Sequence, residues 1–107
     1  MSKAAAKSLG FVRADDVQIQ VQVHGDSMWP TLRDGDVVEA VQGLSPVVGD
    51  IVVAKHPFKK MNVIKRVKRI LGDEIFIEGD NPDPIGSEDS HNFGLIQNSA
   101  IIAIIRD

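Results

Sequence analysis

Val17-Gln18-Ile19-Gln20-Val21-Gln22-Val23 alternates aliphatic and amide side chains without a break. In an extended chain successive side chains point to opposite faces, so this run presents an apolar face and an amide face. It predicts a strand with one side on a core and the other toward water. Further along, Asp34-Gly35-Asp36 reads as a turn into Val37-Val38-Glu39-Ala40-Val41, and Gly49-Asp50 as a turn into Ile51-Val52-Val53-Ala54-Lys55. Val63 to Ile70 reads as another strand, Gly72-Asp73 as a tight hairpin turn, Glu74 to Glu78 as the partner strand, and Ser99 to Ile105 as the last one. Helical periodicity is weak, with Ser27 to Arg33 offering a single helical turn. The fold class is therefore mainly β, a β-rich barrel or coiled set of sheets.

The chain has 107 residues, 43% of them hydrophobic, and a formal net charge of -3. That suits one domain with one core, so any active site lies within that core or at its edge. Residues 1–16 carry little apolar material in any period and read as a flexible N-terminal arm, leaving 17–107 as a single domain. Residues 79–98 are polar and turn-forming, and a loop of that length inside a compact domain is more often functional than idle. The mildly acidic balance argues against a nucleic-acid partner. The most hydrophobic run is Ile101-Ile102-Ala103-Ile104-Ile105, whereas a membrane-spanning helix needs about 20 apolar residues. The start lacks the apolar centre of a secretory signal, so the reading is a cytoplasmic chain without a membrane anchor. The absence of cysteine removes disulfides, thiolate metal sites and a cysteine nucleophile.

Two residues stand out chemically. Ser27 follows the best strand in Gly25-Asp26-Ser27-Met28-Trp29-Pro30-Thr31-Leu32, where it reads either as a nucleophile or, with Asp26, as the cap of a short turn. Lys65 lies in Val63-Ile64-Lys65-Arg66-Val67, and a period of two puts it on the face of Val63 and Val67, with Arg66 on the other. A lysine aimed at a core loses solvation, its neutral amine is favoured, and it can take a proton from a serine hydroxyl. Alternatively it is a surface lysine in the basic run Lys65-Arg66-Val67-Lys68-Arg69. His24, His56 and His91 are scattered and fit no metal-ligand spacing, and Pro82 and Pro84 occupy ligand positions of a would-be calcium loop. No metal and no cofactor is implied. His24 reads as an outward, solvated side chain. Met28 and Trp29 read either as an apolar lip beside Ser27 or as core.

Taken together, the Gly25 to Leu32 block, Gly49-Asp50-Ile51-Val52, Val63-Ile64-Lys65-Arg66-Val67, and Gly79-Asp80-Asn81 with Ser87-Glu88-Asp89-Ser90 and Phe93-Gly94 resemble the successive boxes of the type I signal peptidases. The resemblance covers about residues 21–97. It implies a coiled antiparallel β-barrel of the signal peptidase or repressor C-terminal type, and a Ser-Lys serine endopeptidase. Ser27 would be the nucleophile and Lys65 the general base. Ser87 would orient the lysine amine, and Asp89 would support the dyad. Residues 17–107 would be the peptidase domain.

Three departures from the family qualify this. There is no room for the family's membrane anchor or second β-subdomain, and Ala54-Lys55-His56-Pro57-Phe58 looks like the small soluble relatives that mature nickel superoxide dismutase by removing an N-terminal extension. Gly25 stands where some members carry an oxyanion-holding serine, so the hole would rest on backbone N–H groups, chiefly that of Ser27. His91 stands where the family has an arginine beside its acidic residue, so a pH-dependent contact to Asp89 would replace an ion pair. The partner implied is a precursor protein bound as an extended strand. Two other readings stay open. One is a repressor-type self-cleaving Ser-Lys domain, and the other a non-catalytic β-barrel binding module in which Lys65 stays charged against a carboxylate such as Asp89.

Overall fold

The computed structural model describes residues 17–82 and 87–106, and the arm expected over residues 1–16 lies outside them. Among the described residues the strands are β1 (Val17–Gln22), β2 (Val37–Gln42), β3 (Ile51–Lys55), β4 (Asn62–Leu71), β5 (Glu74–Glu78), β6 (Ile96–Gln97) and β7 (Ile101–Arg106). They form one antiparallel sheet in the spatial order β1-β2-β7-β3-β4-β5-β6, curled into a half-barrel. The mainly β class and the coiled antiparallel form expected from the sequence are both present. No helix among the described residues is long and apolar enough to cross a membrane.

The apolar patterning explains which strands are central. β3 and β7 are continuous apolar runs because the curled sheet covers both of their faces. Val53, Ala103 and Ile105 pack with Val23, Met28, Leu32, Val38 and Ala40. Val52, Ala54 and Ile104 pack on the opposite side with Val63, Val67, Ile75, Ile77 and Ile96. β1 keeps its amides in solvent while Ile19 and Val21 lean on the first of these clusters. Complete burial of a side chain such as Ile77 or Val67 contributes about 1.5–3 kcal/mol, so these two clusters hold the sheet in its curl.

Residues 87–98 are more structured than their polar composition suggests. They contain a one-turn helix, α1 (Ser90–Phe93), then β6 and a 3-10 turn at Asn98–Ala100 that takes up the expected start of the last strand. Asp89 caps α1 by accepting from His91 N–H, and Ile96 pairs with Ile75 of β5. Long-range pairing, rather than local propensity, creates these elements. The stretch after Ser27 forms a turn in which Leu32 N–H bonds the Met28 carbonyl at 2.9 Å and Trp29 N–H bonds the Asp26 carbonyl at 3.0 Å.

Among the described residues, two of the open strand edges face one another. Val23 exchanges main-chain bonds with Asp36 and Gly35 on the β2 side. With a period of two, the main-chain groups of Gln18, Gln20 and Gln22 therefore face away from β2, along the outer edge of β1. β4 pairs with β3 over Asn62–Arg66 but meets β5 only from Arg66 onward. Val67 bonds Asp50 and Gly49 on the β3 side, so Asn62 and Ile64 turn theirs outward, where β5 has not yet begun. Both open edges border the same cleft, whose volume is about 700 Å³.

Candidate active site

Ser27 and Lys65, which are 38 positions apart in sequence, meet in this cleft. Lys65 Nζ and Ser27 Oγ are in hydrogen-bond contact at 2.9 Å. β4 positions the lysine: Val63, Lys65 and Val67 are 5%, 4% and 0% exposed, whereas Lys68 is exposed. Burial pushes the Lys65 ammonium below the ordinary lysine range, and the negative charges of Asp89 and Glu88 partly oppose that shift. Ser27 is held by its neighbour. Met28 is buried in the first core cluster, which pins the turn, while Trp29 stands 49% exposed at the surface. The lip and core readings thus divide between these two residues. His24 is exposed at the cleft wall.

Among the described residues neither the Ser27 nor the Met28 backbone N–H is taken by an intramolecular acceptor. Both remain available to an oxygen bound beside Ser27 Oγ. Gly25 has φ +85 and donates its N–H to Asp34 Oδ1 at 2.7 Å. A serine there would be strained, which accounts for glycine at this position.

A second layer binds the Ser27 turn to the lysine strand through residues 79–81. Gly79 passes so close to Ser27 that a methyl group on it would lie 2.6 Å from the Ser27 carbonyl oxygen. Asn81 N–H donates to that same carbonyl at 2.9 Å, and Asn81 Nδ2 donates to the Asp26 carbonyl at 3.0 Å. Asp80 receives Arg66 Nε at 2.9 Å and Nη2 at 2.7 Å in a two-pronged pair, and the Thr31 hydroxyl at 2.6 Å. The Arg66 hydrogen bonds hold the Asp80 carboxyl below the usual carboxylate range, against the opposing effect of burial and with help from Thr31. The residue next to Lys65, on the opposite face of β4, therefore clamps the segment that clamps the serine. The sequence places Arg66 on that face but assigns no role to it, to Thr31 or to Asp80. The turn-forming tripeptide Gly79-Asp80-Asn81 is the signal that marks them.

Asp89 is 3% exposed and fully engaged. Its Oδ1 accepts from the Ser87 hydroxyl and from His91 N–H, both at 3.0 Å, and its Oδ2 accepts from Gly79 N–H at 3.2 Å. Two expectations change as a result. The Ser87 hydroxyl, expected on the lysine amine, turns to Asp89, because a buried carboxylate is the stronger acceptor. The His91 imidazole, expected on Asp89, lies against Phe76 and reaches Glu78 Oε1 at 3.2 Å, since Asp89 is satisfied by the backbone. Among the described residues no carboxylate forms an ion pair with Lys65, whereas the binding-module reading pairs it with one such as Asp89.

Residues 4–105 match the family described as Peptidase S24-like, and the chain belongs to that family. It is similar to signal peptidase I of Streptococcus pneumoniae serotype 4 (strain ATCC BAA-334 / TIGR4), with 42% identity over 60 residues. The signal peptidase I of Streptococcus pneumoniae strain ATCC BAA-255 / R6 matches to the same extent. The aligned stretch covers 56% of this chain and 29% of each relative, so the chain spans less than a third of the length of the relatives it matches.

Proposed function

We propose that this chain is a serine endopeptidase that works through a Ser27-Lys65 dyad and removes an N-terminal extension from a precursor protein. The contact at 2.9 Å between Ser27 Oγ and a lysine 4% exposed carries the reading. With the amine neutral, the hydroxyl gives its proton to Nζ as Oγ adds to the scissile carbonyl carbon. The oxygen of the tetrahedral adduct sits toward the free N–H groups of Ser27 and Met28. Collapse breaks the C–N bond, and Nζ passes the proton to the leaving nitrogen. A water molecule then gives a proton to Nζ while its oxygen adds to the acyl carbon. The C–Oγ bond breaks and the proton returns to Ser27.

The two open edges support an extended substrate strand between β1 and the first half of β4. Gln20 and Gln22 on one side and Asn62 and Ile64 on the other would pair with its main chain. Asp89 and Ser87 then act by holding Gly79 and α1 in place rather than by touching the amine. On the resemblance to the small maturation proteases, the substrate is a nickel superoxide dismutase precursor. Mixing the chain with that precursor is expected to release one peptide and one new N-terminus, read by N-terminal sequencing, and Ser27→Ala should release neither. An intact precursor together with a single internal cut in residues 1–20 of the chain itself would favour the self-cleaving repressor-type reading.

A further inference from the structure

Resting on the peptidase reading, we infer that the tip of the β3–β4 hairpin extends the substrate cleft and selects substrates bearing a carboxylate about five residues from the scissile bond, with Lys55 and Lys60 as the recognising groups. A second hollow of about 400 Å³ lies at this tip, lined by Lys55, His56, Lys59, Lys60, Met61 and Asn62. Met61 and Asn62 line the main cleft as well, so the two hollows adjoin across these residues. Lys60 precedes Lys65 by five positions. β4 begins at Asn62 and Lys60 lies in the bend before it, so at a rise of about 3.3 Å per residue an extended peptide following the open edge of β4 from the dyad passes Asn62 after about three of its own residues and comes level with the bend within about five.

The tip is a built surface. His56 is buried, and its Nδ1 accepts from Phe58 N–H at 3.0 Å and Lys59 N–H at 3.1 Å. That leaves the ring proton on Nε2, which donates to Glu88 Oε1 at 2.9 Å. The His56 ring also packs edge-on against Phe93 at 4.8 Å. Glu88 is paired a second time with Lys59, so both of these charges are offset. Lys55 and Lys60 are exposed and have no ion-pair partner among the described residues. On a chain whose net charge is -3, they are unneutralised cations beside the open end of the cleft. A substrate carboxylate complements them, and a basic substrate is repelled.

The test is digestion of a randomised peptide library long enough to span both hollows, with the cuts read by mass spectrometry. Peptides with Asp or Glu about five residues to one side of the cut should be enriched, with a preference for Glu over Gln of about five-fold in kcat/KM at low salt. The preference should fall toward one at high salt and in a Lys55→Gln/Lys60→Gln variant that retains its kcat/KM on neutral peptides. Absence of acidic enrichment, or enrichment that survives the double substitution, overturns the proposal. The same library passed over immobilised Ser27→Ala chain separates the two claims. If the wild-type chain cuts nothing but the Ser27→Ala chain retains acidic peptides through these lysines, recognition of carboxylates at the hairpin stands while the peptidase reading, and with it the spacing from a scissile bond, falls. Cutting without acidic preference gives the reverse.

Discussion

Replacing Ser27 or Lys65 with alanine is expected to lower kcat/KM by on the order of 10³-fold or more, while Lys68→Ala stays near wild type. The contrast follows from placement on one strand. Lys65 is buried and touches Ser27 Oγ, whereas Lys68 sits at the register shift between Val67 and Arg69 and points to solvent. Lys65→Arg sharpens the test, because guanidinium keeps the charge and the reach but does not give up its proton, so it should be as inactive as alanine. Lys65→Met should be inactive and more stable. The lysine's pKa is depressed in the folded state, so the unfolded chain binds the proton more tightly. The resulting destabilisation is complete below the depressed value and disappears as the pH rises past the unfolded one. Removing the amine should therefore stabilise the domain at neutral pH by about 1 kcal/mol. Thermal denaturation should show this as a Tm increase of about 4–8 °C. Equal losses for Lys68 and Lys65 would remove the dyad assignment.

Gly79→Ala should lower kcat by on the order of 10²-fold while leaving the sheet folded. The added methyl would meet the Ser27 carbonyl oxygen at 2.6 Å, and that atom belongs to the backbone of the nucleophile itself. Relief requires the Ser27 turn to move relative to β4, or residues 79–81 to withdraw and break the Asn81 bond to Ser27. Either movement loosens the hold of residues 79–81 on the Ser27 turn, which keeps Oγ against Lys65. Gly72→Ala is the matched control. Gly72 has φ +65 and open space around it in the β4–β5 hairpin, so alanine there should cost about 1–2 kcal/mol of stability and spare the rate. Circular dichroism and single-turnover cleavage, measured on both variants, separate a displaced nucleophile from a weakened fold.

What the sequence discloses follows from the range of the interactions involved. Period-two alternation is local, so β1 and the inward phase of Lys65 are legible from neighbouring residues alone. The turn signals before Val37 and Ile51 are local as well. The order within residues 87–98 is not, because Asp89 becomes a cap and Ile96 becomes a strand only once Gly79 and Ile75 are nearby. The Arg66–Asp80–Thr31 cluster spans 49 positions, and no spacing rule brings those side chains together. Ser87 and His91 show the same limit from the other direction. Their proximity to Asp89 in sequence is real, but which acceptor each one takes depends on what the fold has already satisfied. His91 finds Glu78 across the β5–α1 contact, and the Ser87 hydroxyl finds the carboxylate before the amine.

The central claim is that a neutral Lys65 activates Ser27, and the pH dependence of Ser27 acylation by an active-site-directed electrophile measures it without knowledge of the natural substrate. Peptide mapping locates the adduct, and the rate constant is followed from neutral to alkaline pH. The expected result is modification at Ser27 with a rate that rises with pH through one ionisation below the ordinary lysine value of about 10.4, and that is lost in Lys65→Met. Labelling at another residue, a rate indifferent to pH, or an unchanged rate in Lys65→Met would contradict it.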